Sequence, residues 1–598
     1  MEVKRIFDLL PYHQQTFRSK DDMLAGKDNG QWVKYRIEDY IEMANNVSYA
    51  FMAMGLKKGD KIASISTNRP EWNFIDMGAQ QIGVIHIPIY PTISAEDYKY
   101  ILNHAEVKYL FVTGQDLFRK IQPIISQVPS IIDVYTYKNL QGHKHLNELI
   151  DFGKDNADEE KLEEIKASIS EDDLLTIIYT SGTTGIPKGV MLSHKNIISD
   201  FKSIAYIPQF GQEEKALSFL PLCHIYERMM NYLYHYLGFS IYYLENMAYI
   251  MDTVVEVKPA MMTAVPRLIE KIYDKIMLKG MKLKGIQRKI FFWSIKIGLS
   301  YELYGANGWW YGVKLFIADM LVFSKWRQAL GGRLGILVSG GAALQPRLAR
   351  IFWAAGLHVY EGYGLTETSP VIAVTNGRNN GVKFGTVGIP IEHVSLKIAE
   401  NGEILCKGPN LMLGYYKDPA LTKEVIDEEG WFHTGDVGVI EPEGQLKITG
   451  RIKEIFKTSF GKYISPELIE NKFKESEYID TITVLGENQK FAAAIIVPDF
   501  ENLKLWCKKN GVDYSTNHKI IGQAEILKLY QEEVNKYNKF FGAAEQIRKF
   551  ELMDYEWTVE TGELTTTLKL RRSFINRKHK ELIERMFNIG DDFISDPG

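Results

Sequence analysis

The run Tyr179-Thr180-Ser181-Gly182-Thr183-Thr184-Gly185-Ile186-Pro187-Lys188-Gly189 puts three glycines, four serine or threonine hydroxyls and one lysine into eleven residues. Small residues let backbone N–H groups close on an anion, hydroxyls add donors, and Lys188 adds positive charge. The ligand this suits is a polyphosphate, most simply that of ATP. It is not a Walker-type loop, which needs Gly-Lys followed at once by Ser or Thr. Here Lys188 stands between Pro187 and Gly189, so the magnesium-binding hydroxyl after the lysine is missing. An apolar β-branched run, 174–178, precedes the loop and helical spacing over 194–206 follows it. The loop is therefore expected between a strand and a helix.

Five other stretches carry residue types that fit the same chemistry. Ser339-Gly340-Gly341-Ala342-Ala343-Leu344 follows a short apolar run, and adjacent glycines after a strand permit close approach to a flat ligand. A plain tight turn would use the same residues. In Tyr360-Glu361-Gly362-Tyr363-Gly364-Leu365-Thr366-Glu367-Thr368, Tyr363 can stack on an aromatic base. Thr366 can bond a phosphate, and Glu367 offers a hard oxygen to magnesium. Asp436, after Gly435, can accept two ribose hydroxyls, although turn aspartates are common. Gly450-Arg451-Ile452-Lys453-Glu454 adds a cation and a hinge candidate. Lys569 lies in the polar stretch 562–572, where a lysine on its own would be an ordinary solvated group.

Strand-like and helix-like segments alternate through the first 440 residues. Strands are expected at 61–66, 84–89, 109–112, 217–220, 240–244, 261–265 and 335–339, with a helix over 346–355. That alternation predicts an α/β fold with largely parallel sheets, whose ligands sit beyond the carboxyl ends of the strands. From about residue 394 short alternating runs (394–398, 403–407, 437–440, 446–449) predict a small β-rich subdomain, about 385–451. After it, a helical 466–474 and two strands, 479–485 and 491–497, flank a hairpin signal at 486–490. The expected organisation is a large N-terminal domain of layered α/β subdomains, 1–451, and a smaller mobile α+β domain, 452–598.

With 598 residues the chain is too long for one core. Its formal charge of −4 and lack of Lys/Arg blocks argue against nucleic-acid binding. Cys223, Cys406 and Cys507 have no metal or disulfide spacing, which suits a reducing cytoplasm. The N-terminus lacks the apolar core of a signal peptide, and no apolar run reaches the length of a membrane span. Between Lys271 and Gly332, most densely over 285–330, tryptophans and phenylalanines alternate with lysines. Such a mix makes either a helix lying on a membrane surface or buried helices with lysines reaching out along their stems. The spacing does not say which aromatics are exposed, and we take the buried reading.

In order and spacing these segments resemble the motif set of the adenylate-forming superfamily over nearly the whole chain. Phe219-Leu220-Pro221-Leu222-Cys223-His224-Ile225-Tyr226-Glu227-Arg228, Pro88-Ile89-Tyr90-Pro91-Thr92, 454–464 and 564–572 look like the long-chain fatty acyl-CoA synthetases. The resemblance implies ATP-dependent activation of a fatty acid to acyl-CoA through an acyl-adenylate, with Mg²⁺, ATP and CoA. A fatty acyl-AMP ligase serving a carrier protein, and an inactive nucleotide-binding scaffold, are the alternatives. It implies phosphate binding by Thr180, Ser181, Gly182, Thr183, Thr184, Gly185 and Lys188, with Thr184, Lys188, Glu367 and Lys569 as catalytic residues and Thr180 and Glu367 at Mg²⁺. Gly340, Gly341, Ala342, Glu361, Gly362, Tyr363 and Gly364 would surround the base, Thr366 would meet the α-phosphate, and Asp436 and Arg451 the ribose. Lys453 would be the hinge. His224, Gly341, Gly461 and Lys462 are the acyl and CoA candidates. Peripheral membrane contact through 285–330 and a homodimer are further expectations. Two departures stand out: no tryptophan gate occurs near 219–228, and Thr566 replaces the usual proline before the lysine.

Overall fold

Ile85–Ile89 is buried along its whole length, because it pairs in parallel with Lys61–Ile65 on one side and with the strand holding Thr176 on the other. Parallel strands covered on both faces read as continuous apolar runs, which is why these segments are recognisable in the sequence. The computed structural model describes residues 1–180, 186–377, 381–565 and 569–588. Among them, an eight-stranded sheet runs in the order Gly414–Tyr415, Lys188–Ser193, Leu174–Thr180, Ile85–Ile89, Lys61–Ile65, Tyr109–Val112, Asp133–Thr136, Lys144–His145. A nine-stranded sheet is built around the parallel strands Ser240–Tyr243, Lys215–Ser218, Met261–Ala264, Ile336–Ser339 and His358–Gly364. The largest buried cluster joins the two sheets through the helices Ile37–Ala53, Pro70–Gln81 and Ile225–Tyr236. The fold is the expected α/β one, with large sheets and a smaller C-terminal part.

The phosphate-loop segment corrects the sequence reading. The strand Leu174–Thr180 is followed not by a helix but by the antiparallel strand Lys188–Ser193, with Thr180 opposite Lys188. The helix His194–Ile204 starts only after it, capped by Ser193, whose Oγ accepts the Asn196 N–H at 3.2 Å. The two described strands thus pair as neighbours, and no helix begins directly at Lys188. Residues 181–185 lie outside the described residues.

The β-rich region is a four-stranded antiparallel sheet of Ser395–Ile398, Glu403–Lys407, Phe432–Ile440 and Leu446–Arg451. Beyond it Ile479–Leu485, Ala492–Pro498 and Ile547–Leu552 form a three-stranded sheet. With the helices Pro466–Phe473, Phe500–Asn510 and Ala524–Asn538 it encloses a core of its own around Ile482, Ile496 and Tyr530. This C-terminal part touches the large sheets' side through an Arg267–Asp480 ion pair and through Gln345, which donates to the Lys474 carbonyl at 3.3 Å.

The aromatic–basic stretch divides in two. Phe291, Phe323 and Trp326 are buried, as expected. Trp309, Trp310 and Phe316 are not: they are 70%, 63% and 70% exposed. They lie on the helix Trp309–Ala318, whose other side is taken up by packing on Gly285–Leu299, so the buried reading fails for this helix. Among the described residues no helix is long and apolar enough to cross a membrane.

Candidate active site

Thr180 ends one strand and Lys188 begins the next, and the antiparallel register sets them side by side. The two-residue strand Gly414–Tyr415 adds to the outer edge of Lys188–Ser193, with Gly414 opposite Met191. This brings Tyr415, some 230 residues downstream, beside Lys188. The Lys188 ammonium lies 5.2 Å from the centre of the Tyr415 ring. The Tyr415 hydroxyl donates to Glu367 Oε1 at 2.8 Å. Burial, and then the Glu367 charge, raise the Tyr415 pKa far above its ordinary value, so it remains a neutral donor. Glu367 sits in the single turn Thr366–Thr368, held also by its carbonyl, which accepts the Met412 N–H at 2.9 Å. Thr366 is half-buried in the same turn.

Ile336–Ser339 and His358–Gly364 are parallel neighbours with Ser339 opposite Glu361. The Gly340–Ala342 turn and the Gly362–Gly364 segment therefore leave the sheet at the same edge, where ligands of open α/β sheets bind. Gly341 adopts φ +83 with open space where a side chain would stand, and Ala342 beside it is exposed. At Gly364 a Cβ would fall 1.7 Å from the Pro370 carbonyl oxygen, so only glycine fits. Glu361 is buried, and burial pushes its pKa up to about 8 even though the Leu344 N–H bonds it.

Tyr363 reaches across to the antiparallel sheet, where its hydroxyl donates to Asp436 Oδ2 at 2.8 Å. The other oxygen, Oδ1, takes Arg451 Nε at 2.9 Å. Asp436 and Arg451 are register partners on adjacent strands, and Asp436 is buried. A tyrosine, a carboxylate and a guanidinium from three strands are thus locked together, with one carboxylate shared between two donors.

Lys569 comes from the C-terminal part. Its backbone N–H donates to Thr565 Oγ1 at 3.0 Å, and the Thr565 N–H returns a bond to the Lys569 carbonyl at 2.8 Å. Water reaches its side chain, yet protein crowds it on most sides. That crowding lowers the Lys569 pKa, and Arg451 lowers it further, against Asp436, Glu467 and Glu454. Its charge is felt at His224, whose pKa burial and then Lys569 bring down to about 4. His224 is half-buried and caps the helix Ile225–Tyr236, its Nδ1 accepting the Tyr226 N–H at 3.1 Å. The Lys569 ammonium is therefore within electrostatic reach of Arg451, Asp436 and His224.

The structure brings together Thr180, Lys188 and Glu367 through Tyr415, and Tyr363, Asp436, Arg451, Lys569 and His224 through charge and hydrogen bonds. Ser181, Gly182, Thr183, Thr184 and Gly185 are outside the described residues, as is Thr566. Gly461 and Lys462 are not brought to the cleft. They sit on an exposed hairpin of the C-terminal part, tied to Asn488 and Gln489 by the N–H of Asn488 and of Ser459. Lys453 is exposed just beyond the strand ending at Arg451. Sequence reasoning missed Tyr415 and Tyr226. The Tyr226 hydroxyl donates to the Val338 carbonyl at 2.7 Å, and its ring stands 3.3 Å from where a Gly340 Cβ would be. Tyr415 has no local signal and is revealed only by the pairing of distant strands, and Tyr226 only by the packing of its helix on the strand ending at Ser339.

Two polar networks fix the helix that carries His224. Glu227 accepts from Ser218 Oγ and Thr263 Oγ1, both at 2.6 Å, and burial lifts its pKa to about 7. Arg228 donates to Asp76 Oδ1 at 2.5 Å, and Asp76 also takes His86 Nδ1 at 2.7 Å. Burial opposes the Asp76 charge, but Arg228 and His86 hold its pKa at about 2.

A model of the AMP-binding enzyme family matches residues 13–416. A long-chain-fatty-acid–CoA ligase, FadD15, of Mycobacterium bovis is 31% identical over 573 residues, covering 94% of this chain and 93% of that one. Long-chain-fatty-acid–CoA ligase 1 of Homo sapiens is 30% identical, covering 93% and 82%. Among solved structures, an anthranilate CoA ligase in complex with anthranoyl-AMP superposes with a TM-score of 0.72 at 16% identity, covering 97% of this chain and 98% of that one. The fold, the match over two-thirds of the sequence and the relatives spanning nearly all of it place the chain in the AMP-binding enzyme family, among the long-chain-fatty-acid–CoA ligases.

Proposed function

We propose that this protein activates long-chain fatty acids to acyl-CoA in two steps at one cleft. A carboxylate oxygen attacks the α-phosphorus of ATP, and pyrophosphate leaves. The CoA sulfur then attacks the acyl carbonyl and AMP leaves. The observation that carries this reading is the Tyr363–Asp436–Arg451 cluster, with the Lys569 ammonium in electrostatic reach of it. A fatty carboxylate and a triphosphate repel each other, and a cation placed between them offsets that repulsion as the bond forms. The remaining barrier is mostly one of positioning.

In this reading residues 180–188 hold the β- and γ-phosphates, with Lys188 and Thr184 on the charge that leaves. Thr366 meets the α-phosphate. Gly340, Gly341, Ala342, Glu361, Gly362, Tyr363 and Gly364 line the base site. Asp436, already oriented by Tyr363 and Arg451, takes the ribose hydroxyls. The donor set suits Mg²⁺ arriving with ATP: among the described residues no three His, Cys, Asp or Glu cluster as a self-sufficient metal site. Mg²⁺ bound through one carboxylate and substrate phosphates needs only Glu367 and the Thr180 hydroxyl. Bound there it would neutralise phosphate charge. His224 lies at the acyl side, neutral and therefore tolerant of an apolar chain.

Residues 1–451 and 452–598 act as two units, with Lys453 at the pivot. Rotation would withdraw Lys569 and bring the Gly461–Lys462 hairpin towards the cleft for the CoA step. The acyl acceptor is CoA, acids of about twelve carbons or more are preferred because each buried CH₂ adds ~0.8 kcal/mol, and the protein works at a membrane surface, where such acids accumulate.

The test times the half-reactions separately. Lys569→Ala should slow acyl-AMP formation about a hundredfold or more, yet leave thioester formation from supplied acyl-AMP and CoA nearly intact. Lys453→Pro, which fixes φ at the pivot, should do the reverse. Equal damage to both steps in both variants would end the two-unit mechanism, and release of ADP in place of AMP would end the reaction itself.

A further inference from the structure

The helix Trp309–Ala318 stands out from the rest of the surface. At 100° per residue, Trp309, Trp310, Val313, Phe316 and Ile317 fall on one face about 120° wide. All five are exposed. Met320, just past the helix end, continues the face and is 58% exposed. Trp309 and Trp310 stack at 4.2 Å, and Lys314 stands at the edge of the stripe. The opposite side is committed elsewhere. The Tyr311 hydroxyl donates to the Ile297 carbonyl at 2.6 Å, and Ala318, Val322 and Phe323 are buried in the core behind. The apolar face is therefore held outward by packing. A contiguous exposed patch of this kind marks an interaction surface.

Charge says what covers it. Between residues 282 and 325 the sequence has seven Lys or Arg and two acids, in a chain of net charge −4. Both acids are already taken, Glu302 by Arg350 at 3.1 Å and Asp319 by Arg327 at 2.5 Å. Among the described residues none of the seven cations pairs with a carboxylate; Lys282, Lys284, Lys289 and Lys296 all project to solvent. Exposed cations on the preceding helix and at the edge of the aromatic face, on a net-acidic protein, suit an anionic lipid bilayer. Tryptophan and lysine suit the headgroup layer, each having an apolar body and a polar end. With no membrane-crossing helix among the described residues, the protein would lie on the bilayer.

We propose that the Trp309–Ala318 helix, with the lysines of the preceding helix, docks the protein on the headgroup layer of an anionic phospholipid membrane. The contact needs neither nucleotide nor CoA, so it is measured on the protein without substrates, and its failure leaves the ligase reading untouched.

The experiment is co-sedimentation of the full-length protein with phosphatidylcholine vesicles, with and without about a third phosphatidylglycerol. Wild type should pellet with the anionic vesicles and much less with phosphatidylcholine alone. The triple variant Trp309→Ser, Trp310→Ser, Phe316→Ser should lower the bound fraction about tenfold. Its rate on octanoate, a water-soluble acid, should match wild type and thereby report an intact fold. A second variant, Lys289→Glu with Lys296→Glu, should lose binding to anionic vesicles while keeping the weak phosphatidylcholine binding. Three results would overturn the proposal: wild type that stays in the supernatant, a triple variant that pellets like wild type, or a wild-type dimer in solution that the triple variant splits, since the face would then belong to a second copy of the chain.

Discussion

The nucleotide cleft and the Trp309–Ala318 helix both carry lysine and tyrosine, and use cations and rings in opposite ways. In the cleft Lys188, Glu367, Asp436 and Arg451 each already have a protein partner. Lys188 lies over Tyr415, Tyr415 bonds Glu367, and Asp436 is shared by Tyr363 and Arg451. On the outer helix the rings face solvent, and among the described residues the neighbouring cations have no carboxylate. A site that must stabilise charge appearing during a reaction needs its groups fixed beforehand, because reorganising them would use up the stabilisation. A surface that meets a fluid, heterogeneous layer gains nothing from such fixing and needs only area and net charge. Composition cannot separate the two cases; pairing does.

The largest contrast should come from Arg228. It and Asp76 are both buried without solvent contact. Arg228→Ala leaves Asp76 charged, buried and short of its main partner, which typically costs about 3–5 kcal/mol. Denaturant unfolding should show that loss, and Lys314→Ala on the outer helix should change stability by no more than about 0.5 kcal/mol. Similar values for the two would break the contrast between paired and unpaired cations.

Glu367→Gln is the next test. The amide oxygen can still accept the Tyr415 hydroxyl, so local structure should survive while the charge is lost. Acyl-AMP formation should fall about a hundredfold, the scale of one removed electrostatic group at a reacting centre. Stopped-time assays of acyl-AMP at saturating ATP would read this, and an unchanged rate would remove Glu367 from the site.

Much of this was legible in the sequence, and the gaps have physical causes. The strands at Lys61–Ile65, Tyr109–Val112 and Ile336–Ser339 announced themselves because burial on both faces leaves them uniformly apolar. The strand Lys188–Ser193 was hidden. Ser193 both ends it and caps the next helix, so no turn residue separates the two periodicities. Tyr415 lies on a strand of two residues, too short to have a period. The exposure of Trp309 and Trp310 was misjudged because a stripe on a helix says which residues share a face but not whether anything packs on that face. The motif loops with Asp436, Glu367 and Lys569 were found by residue type, yet the ties among them needed the sheets that carry them.

Buried histidines provide a third, smaller test. His194 Nδ1 accepts the Ile6 N–H at 3.0 Å, which requires that nitrogen to be unprotonated, and burial lowers its pKa to about 3. His13 is lowered to about 4, again chiefly by burial. A histidine whose folded pKa is depressed is neutral in the native state while the unfolded chain takes up a proton. Its stabilising contribution is complete above about pH 6.5 and drains away as the pH falls towards 3. The slope is about 1.4 kcal/mol per pH unit for each such group, on the order of 2 kcal/mol between pH 6 and 4.5. His194→Asn keeps an acceptor for Ile6 and removes the titration. Its unfolding free energy should depend less steeply on pH than that of wild type over this window. Parallel curves would mean that His194 is not held neutral by the fold.

The smallest expected effect bears most closely on how the cleft holds its charges. Tyr415→Phe keeps the ring beneath Lys188 and deletes only the hydroxyl on Glu367. A hydrogen bond to a charged acceptor is worth about 1.5–3 kcal/mol, but water can replace part of it in an open cleft, so a loss of about 1 kcal/mol, roughly fivefold, is the reasonable expectation. If Glu367 binds Mg²⁺ with phosphate, that loss should appear as a raised Mg²⁺ requirement for acyl-AMP formation, with the maximal rate at high Mg²⁺ nearly restored. Tyr415→Leu should add a further loss of about 0.5–1 kcal/mol, from the cation–π contact with Lys188, and this part should not respond to Mg²⁺. A metal-dependent deficit in the first variant and a metal-independent increment in the second would assign the hydroxyl to Glu367 and the ring to Lys188. If neither variant shifts the Mg²⁺ requirement, Glu367 is held in place without Tyr415. The claim that pairing within the protein distinguishes this cleft from the outer helix would then stand on Asp436 alone.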